Sequence, residues 1–289
     1  MKEGATAALK PCLWCSRSLR EEGHCYKQQF YGIESHRCVQ MTPTLRCNQR
    51  CLFCWRSFEH EAKDTVDIPP EEILSRIPAL QKKGLAGYSW KVNPKVTRER
   101  WTEALLPRHV AISLSGEPTL YPHLPALIDL FTKVGLTTFL VSNGTNPEML
   151  ARCKPFQTYV SLDAPDPETY AKVCRPLGDP EEFRDRVLES LQLLGRRRSA
   201  IRVTLVAGLN DFAPERYAAM IQESGATFAE IKGYMYLGYS RNRLESTNMP
   251  DHTRVRKFAE AVAAECDYRV KDENVPSRVV LLEREGEAV

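Results

Sequence analysis

In the run QMTPTLRCNQRCLFC, residues 40–54, a strand pattern over 40–45 passes straight into three closely spaced cysteines, Cys47, Cys51 and Cys54. From that point the chain alternates strand patterns with helical ones. Further strands are expected at 109–115, 137–141, 158–162, 201–206 and 228–236, with a last apolar run at 278–282 outside the repeat. Helical patterns fall between them at 69–82, with Asp67 ahead of it as the expected cap, and at 124–134, 180–194, 214–224 and 254–266. The third opens on Asp179-Pro180-Glu181-Glu182, a strong N-terminal signature, and places Phe183, Val187, Leu188, Leu191 and Leu194 on one face. Strands alternating with helices imply parallel pairing through right-handed crossovers. Six such units predict an α/β fold built as a partial (β/α)6 TIM-like barrel, with a doubly wound sheet as the alternative. Polar turns follow most of the strands, at the carboxyl ends where such folds carry their sites. Residues 84–108 read as a long polar insertion, and residues 1–40 as an irregular cysteine-rich segment with one short helix near 16–22. The expected division is therefore 1–40 and 41–289.

The chain of 289 residues is 43% hydrophobic and 27% charged, enough to bury a sizeable core. Its formal charge of +3 permits a nucleic-acid partner without demanding one. No apolar stretch is long enough for a transmembrane helix, and the start shows no signal-peptide pattern, so a cytoplasmic protein is expected. Seven of the ten cysteines fall within the first 54 residues. A clustered set in a compartment that keeps thiols reduced reads as metal binding.

The C-x3-C-x2-C spacing suits an iron–sulfur cubane better than zinc. Three thiolates can ligate three irons and leave the fourth open to a substrate or cofactor, whereas structural zinc takes four protein ligands. The motif resembles the signature of the radical S-adenosylmethionine (SAM) superfamily. The resemblance implies that Cys47, Cys51 and Cys54 bind a 4Fe–4S cluster and that SAM chelates the open iron. It also implies that Gly116-Glu117-Pro118 contacts the methionine amino group, beside Phe53 from the motif. Ser142, Asn143, Ser161 and Asp163, at later strand ends, would then line the rest of the cofactor.

The wider text is more specific. Residues 25–56 read CYKQQFYGIESHRCVQMTPTLRCNQRCLFCWR, and further blocks are ISLSGEPTLYP (112–122), FLVSN (139–143), YVSLDA (159–164), CRPL (174–177), RVTLV (202–206) and EIKGYMY (230–236). Together they resemble the 4-demethylwyosine synthase family of wybutosine biosynthesis, in its single-domain archaeal-like form. The resemblance implies a lyase-class, tRNA-processing enzyme that condenses N1-methylguanosine of phenylalanine tRNA with pyruvate. It maps a second 4Fe–4S cluster onto Cys12, Cys25 and Cys38, which are each thirteen residues apart. Cys15 is a bystander. An external ferredoxin or flavodoxin would supply electrons, and a monomer is expected.

Ring closure needs an activated ketone, and a buried lysine can provide one as a Schiff base. Lys27, two residues after Cys25, ranks ahead of Lys232 and Lys95. For the tRNA, Trp55, Lys91, Lys95, Arg98 and Arg100 are candidate contacts through stacking and phosphate pairing. The alternatives are a radical SAM enzyme with another substrate and a zinc-ribbon RNA-binding protein.

Overall fold

The computed structural model describes residues 7–58 and 66–286. The chain divides into two compact units. The first comprises residues 1–46, 63–141 and 152–156, and the second the remainder.

The first unit contains β1 (Ala8–Leu9), α1 (Leu13–Leu19), α2 (Tyr26–Tyr31), β2 (Cys38–Thr42), α3 (Pro70–Leu85), α4 (Arg98–Ala104), β3 (His109–Ile112), α5 (Leu124–Lys133) and β4 (Thr137–Ser142). β2, β3 and β4 are parallel neighbours, and β1 joins β2 antiparallel. Val39, Met41, Val110, Ile112, Phe139 and Leu140 are buried in the sheet, and Leu124, Leu127, Ile128 and Phe131 of α5 are buried with them. That spacing along α5 is one apolar stripe of a 3.6-residue helix.

The second unit contains α6 (Pro147–Arg152), β5 (Gln157–Ser161), α7 (Pro167–Cys174), α8 (Pro180–Gln192), β6 (Ser199–Leu205), α9 (Pro214–Ser224), β7 (Phe228–Gly233), α10 (His252–Ala263), β8 (Tyr268–Asn274) and β9 (Val279–Arg284). β5, β6 and β7 are parallel neighbours. β9 is inserted antiparallel between β7 and β8. The six expected parallel strands are thus present, three in each unit, and the late apolar run is a strand outside their repeat. The expected capping of α8 also holds. Asp179 accepts from the N–H groups of Glu181 (2.8 Å) and Glu182 (3.3 Å), with Pro180 at the first helical position.

Other expectations need correction. The cysteine-rich segment is not irregular: it holds α1 and α2. The insertion at 84–108 carries α4 and is packed rather than loose. Leu85, Val96 and Ala104 form a buried cluster with Cys15 and Leu19 of α1, and Trp101 and Tyr88 lie against it. These apolar residues follow neither a helical nor a strand period, so the pattern hides them. Asp67 does not cap α3, which starts after Pro69 without a side-chain cap. Instead Asp67 pairs with Arg46 at 2.8 Å. β8 escapes notice because YRVKDEN is charged, as edge strands often are. Among the described residues, no helix is long and apolar enough to cross a membrane.

One glycine is dictated by the backbone. Gly116 has φ +73°, and a Cβ there would lie 2.3 Å from the Thr44 carbonyl oxygen and 2.8 Å from that of Arg46. The next peptide N–H, from Glu117, donates to the Arg46 carbonyl at 2.7 Å. Backbone cannot yield as a flexible side chain can. Gly116→Ala is therefore expected to lose about 1–3 kcal/mol of stability, read as a lowered melting temperature of the metal-free protein. Gly32→Ala, where φ is also positive but the space is open, isolates the contribution of the clash.

Candidate active site

In the second unit, the loop after β2 carries Cys47, Cys51 and Cys54. Loop N–H groups must find partners when the loop is half-buried. Here the end of α7 supplies them. Arg50 N–H donates to the carbonyls of Cys174 (3.2 Å) and Arg175 (2.9 Å), and Leu52 N–H donates to Val173 (2.9 Å). Leu177 N–H returns to the Asn48 carbonyl at 2.9 Å. The CRPL block is thus the backing of the cysteine loop. Leu52 and Phe53 pack against Val206, Tyr234 and Leu244. Phe53 is an anchor of the loop, in addition to any contact it makes with a ligand.

Two thiols of this loop, those of Cys51 and Cys54, are held protonated in the metal-free protein. A hydrogen bond with Cys174, followed by burial, pushes Cys51 well above the usual thiol range. Burial and the neighbouring Cys51 raise Cys54, while Arg243 opposes them. Iron ligation displaces these protons. Behind Cys51 lies a polar relay: its thiol donates to the Gln49 side-chain oxygen (3.4 Å), and the Gln49 amide nitrogen donates to the Tyr170 hydroxyl (2.6 Å).

Gln49, Asn143, Ser161, Asp163, Tyr170 and Cys174 line one narrow cleft in the same unit. Three of the residues expected to line a cofactor, Asn143, Ser161 and Asp163, are therefore brought together. Asn143 donates to the Asn48 side-chain oxygen (2.9 Å) and accepts from the Thr145 hydroxyl (2.7 Å). Asn48 closes the ring by donating to the same hydroxyl at 2.8 Å. Asp163 accepts from Thr204 N–H at 2.6 Å, and burial pushes its carboxyl up to about 6 against that hydrogen bond. Ser142 is buried, and its hydroxyl accepts from Gly144 N–H at 3.0 Å.

In the first unit, the Gly116-Glu117-Pro118 turn is tied to Arg46. The buried Glu117 carboxylate accepts from Thr119 N–H (3.0 Å) and its hydroxyl (2.7 Å). The same unit holds the second triad, each cysteine at the end of an element. Cys12 caps α1 with its sulfur, accepting from Cys15 N–H at 3.3 Å. Cys25 precedes α2, and its N–H donates to Ser35. Cys38 opens β2. Cys12, Cys25 and Lys27 are all close enough to bear on the Cys38 thiol, which burial raises well above its ordinary range. Lys27 is 7% exposed, with its ammonium 4.7 Å from the centre of the Phe139 ring. The other lysines are committed elsewhere: Lys232 donates to the Ser277 carbonyl (2.6 Å) and Lys95 to Glu22 (2.8 Å).

The donor chemistry fits two iron–sulfur clusters. Each triad is made of thiols alone, and N–H···S bonds such as that at Cys12 are usual around cluster sulfurs. Among the described residues, no three His, Cys, Asp or Glu side chains are arranged to hold a single ion. A cubane spreads its thiolates over separate irons, so its ligands need not converge on one point.

Of the candidate RNA contacts, Lys91 and Arg98 flank the Trp90 ring at 5.6 and 5.9 Å. Arg100 is turned inward to the Ser18 carbonyl at 2.6 Å. Trp55 is 45% exposed. Sequence reasoning passed over Asn48, Gln49, Thr145, Tyr170 and Arg243. The first two occupy spacer positions of the motif, and Arg243 lies far along the chain with no local signal.

A radical SAM superfamily model matches residues 41–221, and a wyosine base formation model matches residues 223–284. An S-adenosyl-L-methionine-dependent tRNA 4-demethylwyosine synthase from Pyrococcus abyssi is 46% identical over 98% of this chain and 85% of its own. A structure of TYW1 with a lysine–pyruvate adduct bound is 38% identical, with TM-score 0.88 over 98% of this chain and 92% of that one. A crystal structure of archaeal TYW1 is 35% identical, with TM-score 0.83 over 100% and 93%. The likeness bears out the expected fold class, an α/β partial barrel of the radical SAM type.

Asp163 gives a pH signature. Its folded value, about 6, lies above the ordinary 3.8, so the native state binds this proton more tightly than the unfolded chain. The resulting stabilisation is complete below about 3.8 and is lost as pH rises through about 6. It amounts to about 2–3 kcal/mol. Asp163→Asn is expected to flatten this part of the stability profile, checked by melting the metal-free proteins between those two pH values.

Proposed function

We propose, for a chain that belongs to the radical SAM tRNA 4-demethylwyosine synthases, that it condenses N1-methylguanosine of phenylalanine tRNA with pyruvate to give 4-demethylwyosine. The observation that carries this reading is Lys27, a lysine buried among the thiols of Cys12, Cys25 and Cys38. The lysine–pyruvate adduct of the 38% identical relative supports a lysine in this role. The match to wyosine base formation over 223–284 favours it over other radical SAM chemistry and over a zinc ribbon.

When bound, a 4Fe–4S cluster would supply the one-electron reduction of SAM on which hydrogen abstraction from the N1-methyl group depends. Cys47, Cys51 and Cys54 are the residues to hold it. Backbone groups of Gly116, Glu117 and Pro118 meet the methionine amino group. Phe53, Ser142, Asn143, Ser161 and Asp163 shape the rest of the SAM site, and the Asn48–Asn143–Thr145 ring keeps Asn143 in one orientation. Residues 1–40 hold a second 4Fe–4S cluster on Cys12, Cys25 and Cys38, and 41–289 form the radical SAM part.

Lys27 does the work on pyruvate. As the free amine it adds to the ketone and loses water, forming a Schiff base. The Phe139 face shields it from solvent. Loss of carbon dioxide from the pyruvate carbon skeleton makes this a lyase-class reaction. A separate ferredoxin or flavodoxin supplies electrons to a cytoplasmic monomer. The tRNA is held by Trp55, Lys91, Lys95, Arg98 and Arg100. Lys91 and Arg98 carry more of that binding, since Lys95 and Arg100 are already paired within the unit.

The test is an anaerobic reconstitution with SAM, a reductant, pyruvate and methylated tRNA, followed by nucleoside mass analysis. The wild type is expected to yield both 5′-deoxyadenosine and the tricyclic base. Absence of both would sink the reading. Lys27→Ala is expected to keep 5′-deoxyadenosine formation and lose the tricyclic base by at least about a hundredfold, in the range of lost acid–base or nucleophilic groups. A normal product rate would remove Lys27 from the mechanism. Lys91→Ala with Arg98→Ala is expected to weaken tRNA binding and lower the slope of log affinity against log salt by about 2. An unchanged slope counts against this surface.

A further inference from the structure

The segment that follows β7 grips the cysteine loop, all within the second unit. Arg243 donates through Nε to the Leu52 carbonyl (3.2 Å) and through Nη2 to the carbonyls of Cys54 and Arg56, the latter at 3.3 Å. Its guanidinium also lies 4.2 Å from the centre of the Phe58 ring. Three carbonyls at alternate positions of one short loop thus turn toward one cation. Neighbouring residues tighten the same grip. Tyr239 N–H donates to the Trp55 carbonyl at 2.9 Å. Gly238, at φ +56°, allows an approach in which a Cβ would lie 2.4 Å from that same oxygen.

We propose that Arg243 is the positioning residue of the radical-generating loop, setting both the geometry of its three thiols and the ease of reducing the cluster they hold. The inference rests on the assignment of that cluster to Cys47, Cys51 and Cys54. Two physical properties carry it. A guanidinium is planar and presents its donors in a rigid fork, so carbonyls bound to it are fixed in direction as well as distance. It is also always charged. A cluster on three thiolates is anionic and gains one more negative charge on reduction. A cation against the backbone of Cys54 favours the reduced state, and net charge and hydrogen bonding are among the factors that set such potentials. Arg243 belongs to the region matched by wyosine base formation, outside the radical SAM match, so the family-specific segment steadies the general one.

The test uses the full chain carrying Cys12→Ala, Cys25→Ala and Cys38→Ala, so that one cluster contributes to the signal. Arg243→Gln and Arg243→Lys are made in this background and reconstituted anaerobically. The midpoint potential is read by electron paramagnetic resonance, and cluster loss by the rate of bleaching with an iron chelator. Arg243→Gln is expected to shift the potential to more negative values and to speed cluster loss about tenfold, the usual scale for an outer-shell partner. Arg243→Lys keeps the charge and loses the fork, so it is expected to hold the potential near the wild-type value while losing cluster faster. Wild-type potential and wild-type loss rate in Arg243→Gln would overturn the proposal. Should Arg243→Gln not fold, a wild-type loss rate in Arg243→Lys overturns it alone. Failure of any cluster to form with Arg243 intact would instead overturn the assignment of Cys47, Cys51 and Cys54, and the proposal with it.

Discussion

Three thiols on one short loop can share a cluster only if the loop's own peptide groups are satisfied from elsewhere. In this protein the satisfaction comes from two distant stretches of chain. The end of α7 accepts the N–H groups of Arg50 and Leu52. Arg243 donates to the carbonyls of Leu52, Cys54 and Arg56. The loop's backbone donors and acceptors are thus divided between the two supports. Leu52 and Phe53 add an apolar anchor between them. The chemistry of the site therefore depends on packing that the motif itself does not contain.

The second triad solves the same problem differently. Cys12, Cys25 and Cys38 each mark the end of a regular element, so the positions of α1, α2 and β2 carry the three sulfurs. Helix starts leave N–H groups unpaired, and Cys12 takes one of them onto its sulfur. The packing of the 84–108 segment against α1, through Leu85, Val96 and Ala104, holds that helix in place. A stretch that resembles a solvent-exposed insertion is thus part of what supports the cysteines. It also presents Lys91 and Arg98 around Trp90.

Much of the framework was legible because its signals are local. The Asp179-Pro180 start of α8, the apolar stripe of α5 and the six short β-prone runs each lie within a window of ten or so residues. The spacing of Cys47, Cys51 and Cys54 is local too. β8 was hidden by its charged residues, and α4 by apolar positions of no fixed period. Asp67 had the form of a helix cap, yet its carboxylate is drawn to Arg46, a pairing no local rule anticipates.

The residue types and spacings determined by themselves which groups could bind iron, where the six parallel strands run and which family text the chain carries. Those properties are covalent or short-range. Tertiary structure alone decided which of those groups act together. It buried Lys27 under the Phe139 ring, while drawing Lys232 to Ser277 and Lys95 to Glu22. It gathered Asn143, Ser161 and Asp163 with Gln49 at one cleft, and raised the Asp163 carboxyl by burial. It brought Arg243 back across nearly 190 residues to Cys54. Burial and long-range hydrogen bonding are set by where the chain returns in space, and no window of sequence records that return.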